Sequence, residues 1–108
     1  MATLVNLTEH PIIEMVTGTK IEPSGIVARI STDTRVIDRI NNIPIYHSKC
    51  TAIEGLPDPT PDTVYIVSAL VLEHVPTDRL DVVRIGNAHR VDGRIVGCRG
   101  FRRNQEVA

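Results

Sequence analysis

Residues Gly55 to Pro76, GLPDPTPDTVYIVSALVLEHVP, join a proline-rich turn, a buried strand and a short capped helix, and their reading decides the fold. Four of the chain's seven prolines, Pro57, Pro59, Pro61 and Pro76, punctuate this run. Pro57, Pro59 and Pro61 each remove a backbone donor, so Gly55 to Asp62 cannot form the interior of a sheet. Val64 to Val67 is fully apolar and reads as a strand. Ser68 then stands where a helix begins. The piece from Ser68 to His74 has the length of two turns, with Ser68 as N-cap and a stop imposed by Pro76, which drives Val75 out of helical geometry. Such a helix is too short to stand alone. Leu70, Val71 and Leu72 are therefore expected to pack on the sheet, making this block the core.

On either side of the block, short β-like runs alternate with turn residues. Thr3 to Leu7 and Ile12 to Val16 come first, split by Thr8, Glu9, His10 and Pro11, and Thr17-Gly18-Thr19 makes a turn. Gly25 to Ser31 alternates Ile26, Ala28 and Ile30 with Val27, Arg29 and Ser31, as a half-buried strand does. Residues 32 to 42 are polar and read as irregular, with Asn41-Asn42 offering a left-handed turn. A long strand is expected over Ile43 to Ile53. Beyond the helix, Asp81 to Ile85 reads as a strand, and His89 to Val91 and Arg94 to Phe101 flank Asp92-Gly93, a pairing suited to a two-residue type I′ hairpin. Arg102 to Ala108 reads as a frayed tail.

The chain has 108 residues, enough for one domain and too few for two independent cores. Hydrophobic residues make up 42% and charged residues 23%, the balance of a soluble globular protein. Tyr46, Tyr65 and Phe101 are its only aromatics, so the core must be built from Ile, Val and Leu, which favours sheet. The expected fold is a single α+β domain over residues 1–108, mainly antiparallel sheet in the form of a partly open barrel, with one short helix. Cys50 and Cys98 are too few for a disulfide framework and are expected as free buried thiols. MATLVNLTEHP is neither a basic leader nor an uninterrupted apolar stretch, and no run is long enough to span a bilayer. A cytoplasmic protein without a membrane partner is expected.

Net charge is −1 but unevenly spread. Residues 1–78 carry five basic and ten acidic side chains, whereas residues 79–108 carry seven arginines against Asp81, Asp92 and Glu106. The guanidinium fork suits phosphate and carboxylate, so the arginine bias points to an anionic partner. Duplex nucleic acid fits poorly, because the overall charge is negative and no helix is long enough to read a major groove.

Three motifs carry a family resemblance. Asn6-Leu7-Thr8-Glu9-His10 is close to an Asn-Leu-Thr-Pro-His opening, departing from it at Glu9, with Pro11 two residues later. Gly55-Leu56-Pro57 followed by Val64-Tyr65-Ile66-Val67-Ser68-Ala69-Leu70-Val71 is the second. Arg90-Val91-Asp92-Gly93-Arg94-Ile95-Val96-Gly97-Cys98-Arg99 is the third. Together they span nearly the whole chain, which resembles a family of small uncharacterised proteins of phages and prophages. The resemblance implies a viral or prophage origin and a compact β-rich fold, and it supplies no catalytic residues. Small accessory proteins of phages commonly bind something of the host, including defence proteins and the nucleotide signals those proteins make.

His47-x-x-Cys50 resembles half a metal site, but residues three apart on a strand point to opposite faces, so no metal is expected there. No phosphate-binding loop, dinucleotide fingerprint or nucleophile elbow is present, and neither a cofactor nor a catalytic residue is assigned. His10 and Ser68, with Asp81 to orient the imidazole, could in principle meet in an arrangement that acyl transfer would require. The blander roles are an N-cap for Ser68, worth ~1 kcal/mol, and a turn residue for His10. A binding site asks less of the geometry. The helix start at Ser68 could meet Arg79, Arg84, Arg90 and Arg99 around a phosphate, with Asn6, Thr8 and His10 as polar contacts to a sugar or base and Tyr65 either stacking or in the core. The leading expectation is a phage-type accessory protein that sequesters a small anionic ligand, a nucleotide immune signal, to counter host defence. The alternatives are a protein-binding inhibitor of a host enzyme and a small hydrolase using His10. The exposed sheet edges and the apolar patch near Ile43 to Ile45 could mate with another protein chain, and a homo-oligomer is expected because a small sheet gains by pairing its exposed edges.

Overall fold

The β-branched bias of the sequence is realised almost entirely as strands. The computed structural model describes residues 2–104. In chain order the elements are β1 (Thr3–Asn6), β2 (Ile12–Glu14), β3 (Thr19–Ile21), β4 (Arg29–Ile40), β5 (Ile43–Glu54), β6 (Thr63–Ile66), α1 (Ala69–Glu73), β7 (Val82–Val91) and β8 (Arg94–Arg102). Six strands form one mixed sheet in the order β1-β6-β7-β8-β2-β3, while β4 and β5 pair only with each other. The two longest ladders, β4–β5 and β7–β8, are antiparallel. β1–β6, β6–β7 and β8–β2 run parallel. The sheet curls until its edges meet, where Asn6 and Pro23 form a parallel bridge and the Ser24 N–H donates to the Asn6 carbonyl at 2.9 Å. The fold is α+β, strand-dominated, and built on a nearly closed barrel.

The apolar run Val64 to Val67 is buried on both faces, and that sets the core. Val64 and Ile66 turn toward a cluster with Leu4, Ile12, Ile21, Val83, Ile85, Cys98 and Phe101. Tyr65 and Val67 turn the other way, joining Leu7, Ala28, Val71, Leu72, Val75 and Val82 beneath α1 and the base of the β4–β5 hairpin. Alternation along β6 thus feeds two clusters from one strand. Ser68 caps α1 as its residue type predicts, its Oγ accepting from the Val71 N–H at 3.3 Å.

The barrel has two weak seams, and a buried polar side chain stitches each. β2 meets β8 at a single register pair, Glu14 with Cys98. There the buried Glu14 carboxylate accepts from the backbone N–H groups of Val16 (2.9 Å), Thr17 (2.8 Å) and, across the seam, Gly100 (2.9 Å). At the β1–β3 seam the buried Asn6 amide donates to the carbonyls of Ile21 (3.1 Å) and His10 (2.8 Å). Buried polar groups persist where every bond is made, as both are here.

Several expectations need correction. Residues 32–40 are not irregular but the outer part of β4, and Asn41 and Asn42 form the tight turn to β5 with φ of 51° and 65°. Their polar pattern follows from a ribbon wet on both faces, which leaves no hydrophobic alternation to read. The segments Asp81 to Ile85 and His89 to Val91 belong to one strand, β7, and β3 was not foreseen. Leu70 is 54% exposed, so only Val71 and Leu72 anchor α1. Cys98 is a buried thiol, whereas Cys50 is half-buried. Arg102 closes β8, and Asn104 is tied to the end of α1 through bonds to the carbonyls of Leu72 (2.7 Å) and Val75 (3.1 Å), so fraying does not begin at residue 102. Residues 105–108 of the expected tail lie outside the described residues. The Asp92-Gly93 hairpin forms as read, with φ of 53° and 79°.

Candidate anion-binding site

Strand alternation and the edge of α1 together create a groove. Along β7, Val82 faces the cluster under the helix, and Arg84, two residues on, shares that face just where α1 no longer covers it. The groove is bounded by the β1–β2 turn at Thr8 and His10, the helix start at Ser68, the stretch Arg84 to Arg90 of β7 and the stretch Arg94 to Cys98 of β8, with Arg102 at one side. Its volume is about 910 Å³, at the upper end of the roughly 300–1,000 Å³ of small-molecule sites. Arg84, Arg90, Arg94 and Arg102 line it together with His10, and among the described residues no carboxylate does. Among the described residues, the ion pairs are Lys20–Glu22, Arg29–Glu9, Arg35–Asp33 and Arg79–Asp81, none of which involves a groove arginine. Arg102 instead donates to Asn87 Oδ1 at 2.8 Å. The remaining wall is apolar, formed by Ile12, Ile13, Ile85, Ile95 and Val96.

Five of the eight residues expected at a ligand site meet here: Thr8, His10, Ser68, Arg84 and Arg90. Asn6 does not, for it is buried and all its polar atoms are engaged. Its Oδ1 accepts from the Thr8 N–H (2.9 Å) and hydroxyl (2.6 Å) while its Nδ2 makes the seam bonds. Asn6 therefore shapes the Thr8–His10 turn rather than touching a ligand. Arg79 is also withdrawn. Its guanidinium grips Asp81 through two bonds, of 2.9 and 3.0 Å, and donates to the Pro57 carbonyl at 3.0 Å, pinning the proline-rich turn. Hydrogen bonding to Arg79 lowers the Asp81 pKa, and the same bonds raise that of Arg79. Arg99 is exposed on β8, outside the groove lining. Tyr65 is core, 4% exposed, with its hydroxyl 3.1 Å from Thr60 Oγ1.

The sequence reading missed Arg94 and Arg102. Both sit in the arginine-rich last thirty residues, so composition marked the region without marking the pair. Asp81, considered as a partner for the His10 imidazole, has both carboxylate oxygens engaged by Arg79. A smaller cleft of about 430 Å³ lies on the other side of Thr8, His10 and Ser68, toward the hairpin base and the Arg29–Glu9 pair. Among the described residues no group of three or more His, Cys, Asp or Glu side chains is placed to hold a metal ion, and no helix is long and apolar enough to cross a membrane. No family model, curated protein or solved structure matches the chain.

Proposed function

We propose that this is a phage-type accessory protein that binds and sequesters a small anionic ligand, a nucleotide signal of host immunity, and so counters host defence in the bacterial cytoplasm. One observation carries the reading: four arginines and a histidine line a single groove to which, among the described residues, no carboxylate contributes. Bringing like charges together without counter-charges costs free energy, which an anion would return through charge-assisted hydrogen bonds. The apolar wall beside them suits the flat face of a base, and the motif resemblance to phage proteins supports the biological setting. Binding without turnover is favoured because Asp81, the carboxylate considered for orienting a general base at His10, is held by Arg79.

The test is mass spectrometry of small molecules released when the purified protein is heat-denatured, followed by titration calorimetry with the compound found. A chemically intact nucleotide is expected. Arg84→Ala and Arg90→Ala should each weaken its binding by about tenfold or more, the loss of one charge-assisted contact. Failure to release or bind any nucleotide rejects the ligand class, and recovery of a reaction product that disappears in His10→Ala replaces sequestration with hydrolysis. The exposed apolar tip of the β4–β5 hairpin favours, as a second reading, an inhibitor of a host enzyme. A stable complex with a host protein, formed without ligand, would establish it.

A further inference from the structure

The β4–β5 hairpin takes up residues 29–54, yet only its base packs on the body, where Ile30 and Ile53 join the cluster under α1. Beyond the base it projects. The molecule measures 55 × 37 × 32 Å with a radius of gyration of 16.5 Å, against about 13 Å for a compact chain of this length. A lone two-stranded ribbon is marginal in water, and this one ends in apolar side chains: Val36, Ile37, Ile40, Ile43 and Tyr46 are 43–65% exposed. Register partners share a face, so the face that starts at Ile30 and Ile53 continues through Thr32 and Cys50, Thr34 and Ser48, and Val36 and Tyr46 without a charge until Arg39 and Pro44 beside the turn. Asp33 with Lys49, Arg35 with His47, Asp38 with Ile45 and Ile40 with Ile43 lie on the opposite face. The ribbon is thus two-sided, and among the described residues its uncharged side has nothing of its own chain to cover.

We infer that the hairpin is an exchanged arm: each of two copies lays the uncharged face of its arm on the body of the other, forming a two-fold homodimer. Area decides between this and simple arm-to-arm stacking. The free ribbon is roughly 30 Å long and 10 Å wide, about 300 Å² a face. Two arms face to face would bury about 600 Å² in all, short of the ~1,000 Å² of a specific interface, whereas two reciprocal arm-to-body contacts bury about 1,200 Å². The body offers a matching apolar band, Ile13, Met15, Ile95 and Val96, each 41–50% exposed. Gly97 draws this band together, since a side chain there would meet Met15 Sδ at 3.0 Å. Ile13, Ile95 and Val96 also line the arginine groove, so the arm of the second copy would wall that groove.

Light scattering on the full chain at about 50 µM, well above the micromolar constants that interfaces at this end of the size range reach, should report twice the 11.9 kDa chain mass. Val36→Asp with Tyr46→Asp in the arm, and separately Ile95→Asp in the body, should each give a monomer with unchanged circular dichroism, because these exposed positions lie outside both core clusters. A monomeric parent protein overturns the inference and leaves the arm to a different protein. A dimer that persists in either variant overturns it as well.

Discussion

At the scale of single residues, Glu14 and Asn6 do work that their residue types do not advertise. A glutamate in a short apolar strand reads as an outward polar position. Here its carboxylate is folded inward to accept three backbone N–H bonds, two from its own turn and one from Gly100 on β8. Those bonds, with that from Gly100 foremost, lower its pKa from 4.5 to about 2. A carboxyl whose folded pKa is depressed adds stability that is present above its unfolded pKa and is lost as pH falls through the folded one. The Glu14 contribution is therefore whole above about pH 4.5 and fades toward pH 2. Glu14→Gln should lower the melting temperature at pH 7, and the gap from the parent should shrink as pH falls through this window. A gap independent of pH would show that the charge is immaterial. Asn6 was legible as important but not in its role, because a buried amide that closes a turn and a seam has the same sequence signature as one that reads a ligand.

At the scale of elements, the strand Thr63–Ile66 and the helix Ala69–Glu73 were legible because a fully apolar run bounded by prolines and a capping serine leaves few alternatives. The apolar run from this strand into the helix hides a difference that only packing reveals. Ile66 is fully buried, while Leu70 is 54% exposed at the mouth of the smaller cleft. Ile66→Ala should cost about 2–5 kcal/mol by opening a cavity in the barrel, whereas Leu70→Ala should stay within about 1 kcal/mol, as surface changes do. Denaturant midpoints of the two variants check this, and equal losses would mean that Leu70 is buried in an assembly. The β4 strand shows the opposite failure of legibility. Its polar sequence carries no hydrophobic alternation, since neither face of the outer ribbon meets the core, and only the eleven register pairs with β5 account for its backbone bonds.

At the scale of the whole molecule, the barrel closes through partners far apart in sequence: Thr3 pairs with Thr63 and Glu14 with Cys98. Loop closure must precede the gain from such pairs, and parallel ladders bring no help from a local turn. Stopped-flow refolding should accordingly fall in the millisecond-to-second range typical of non-local β topologies. Microsecond refolding would mean that the local hairpins carry the stability. Distance along the chain also explains what could be read of the groove. Composition placed arginines in the last thirty residues, but the meeting of Arg84, Arg90, Arg94 and Arg102 with Thr8, His10 and Ser68 depends on β7 passing beside the β1–β2 turn. Likewise the withdrawal of Arg79 depends on Pro57, 22 residues earlier, being within its reach. The sequence by itself determined the strand-rich class, the capped helix, the Asp92-Gly93 hairpin and the uneven charge, because each follows from local sterics or composition. Strand order, barrel closure, the projecting arm and the membership of the groove were decided only by tertiary structure, because they rest on pairings between residues whose local patterns carry no record of one another.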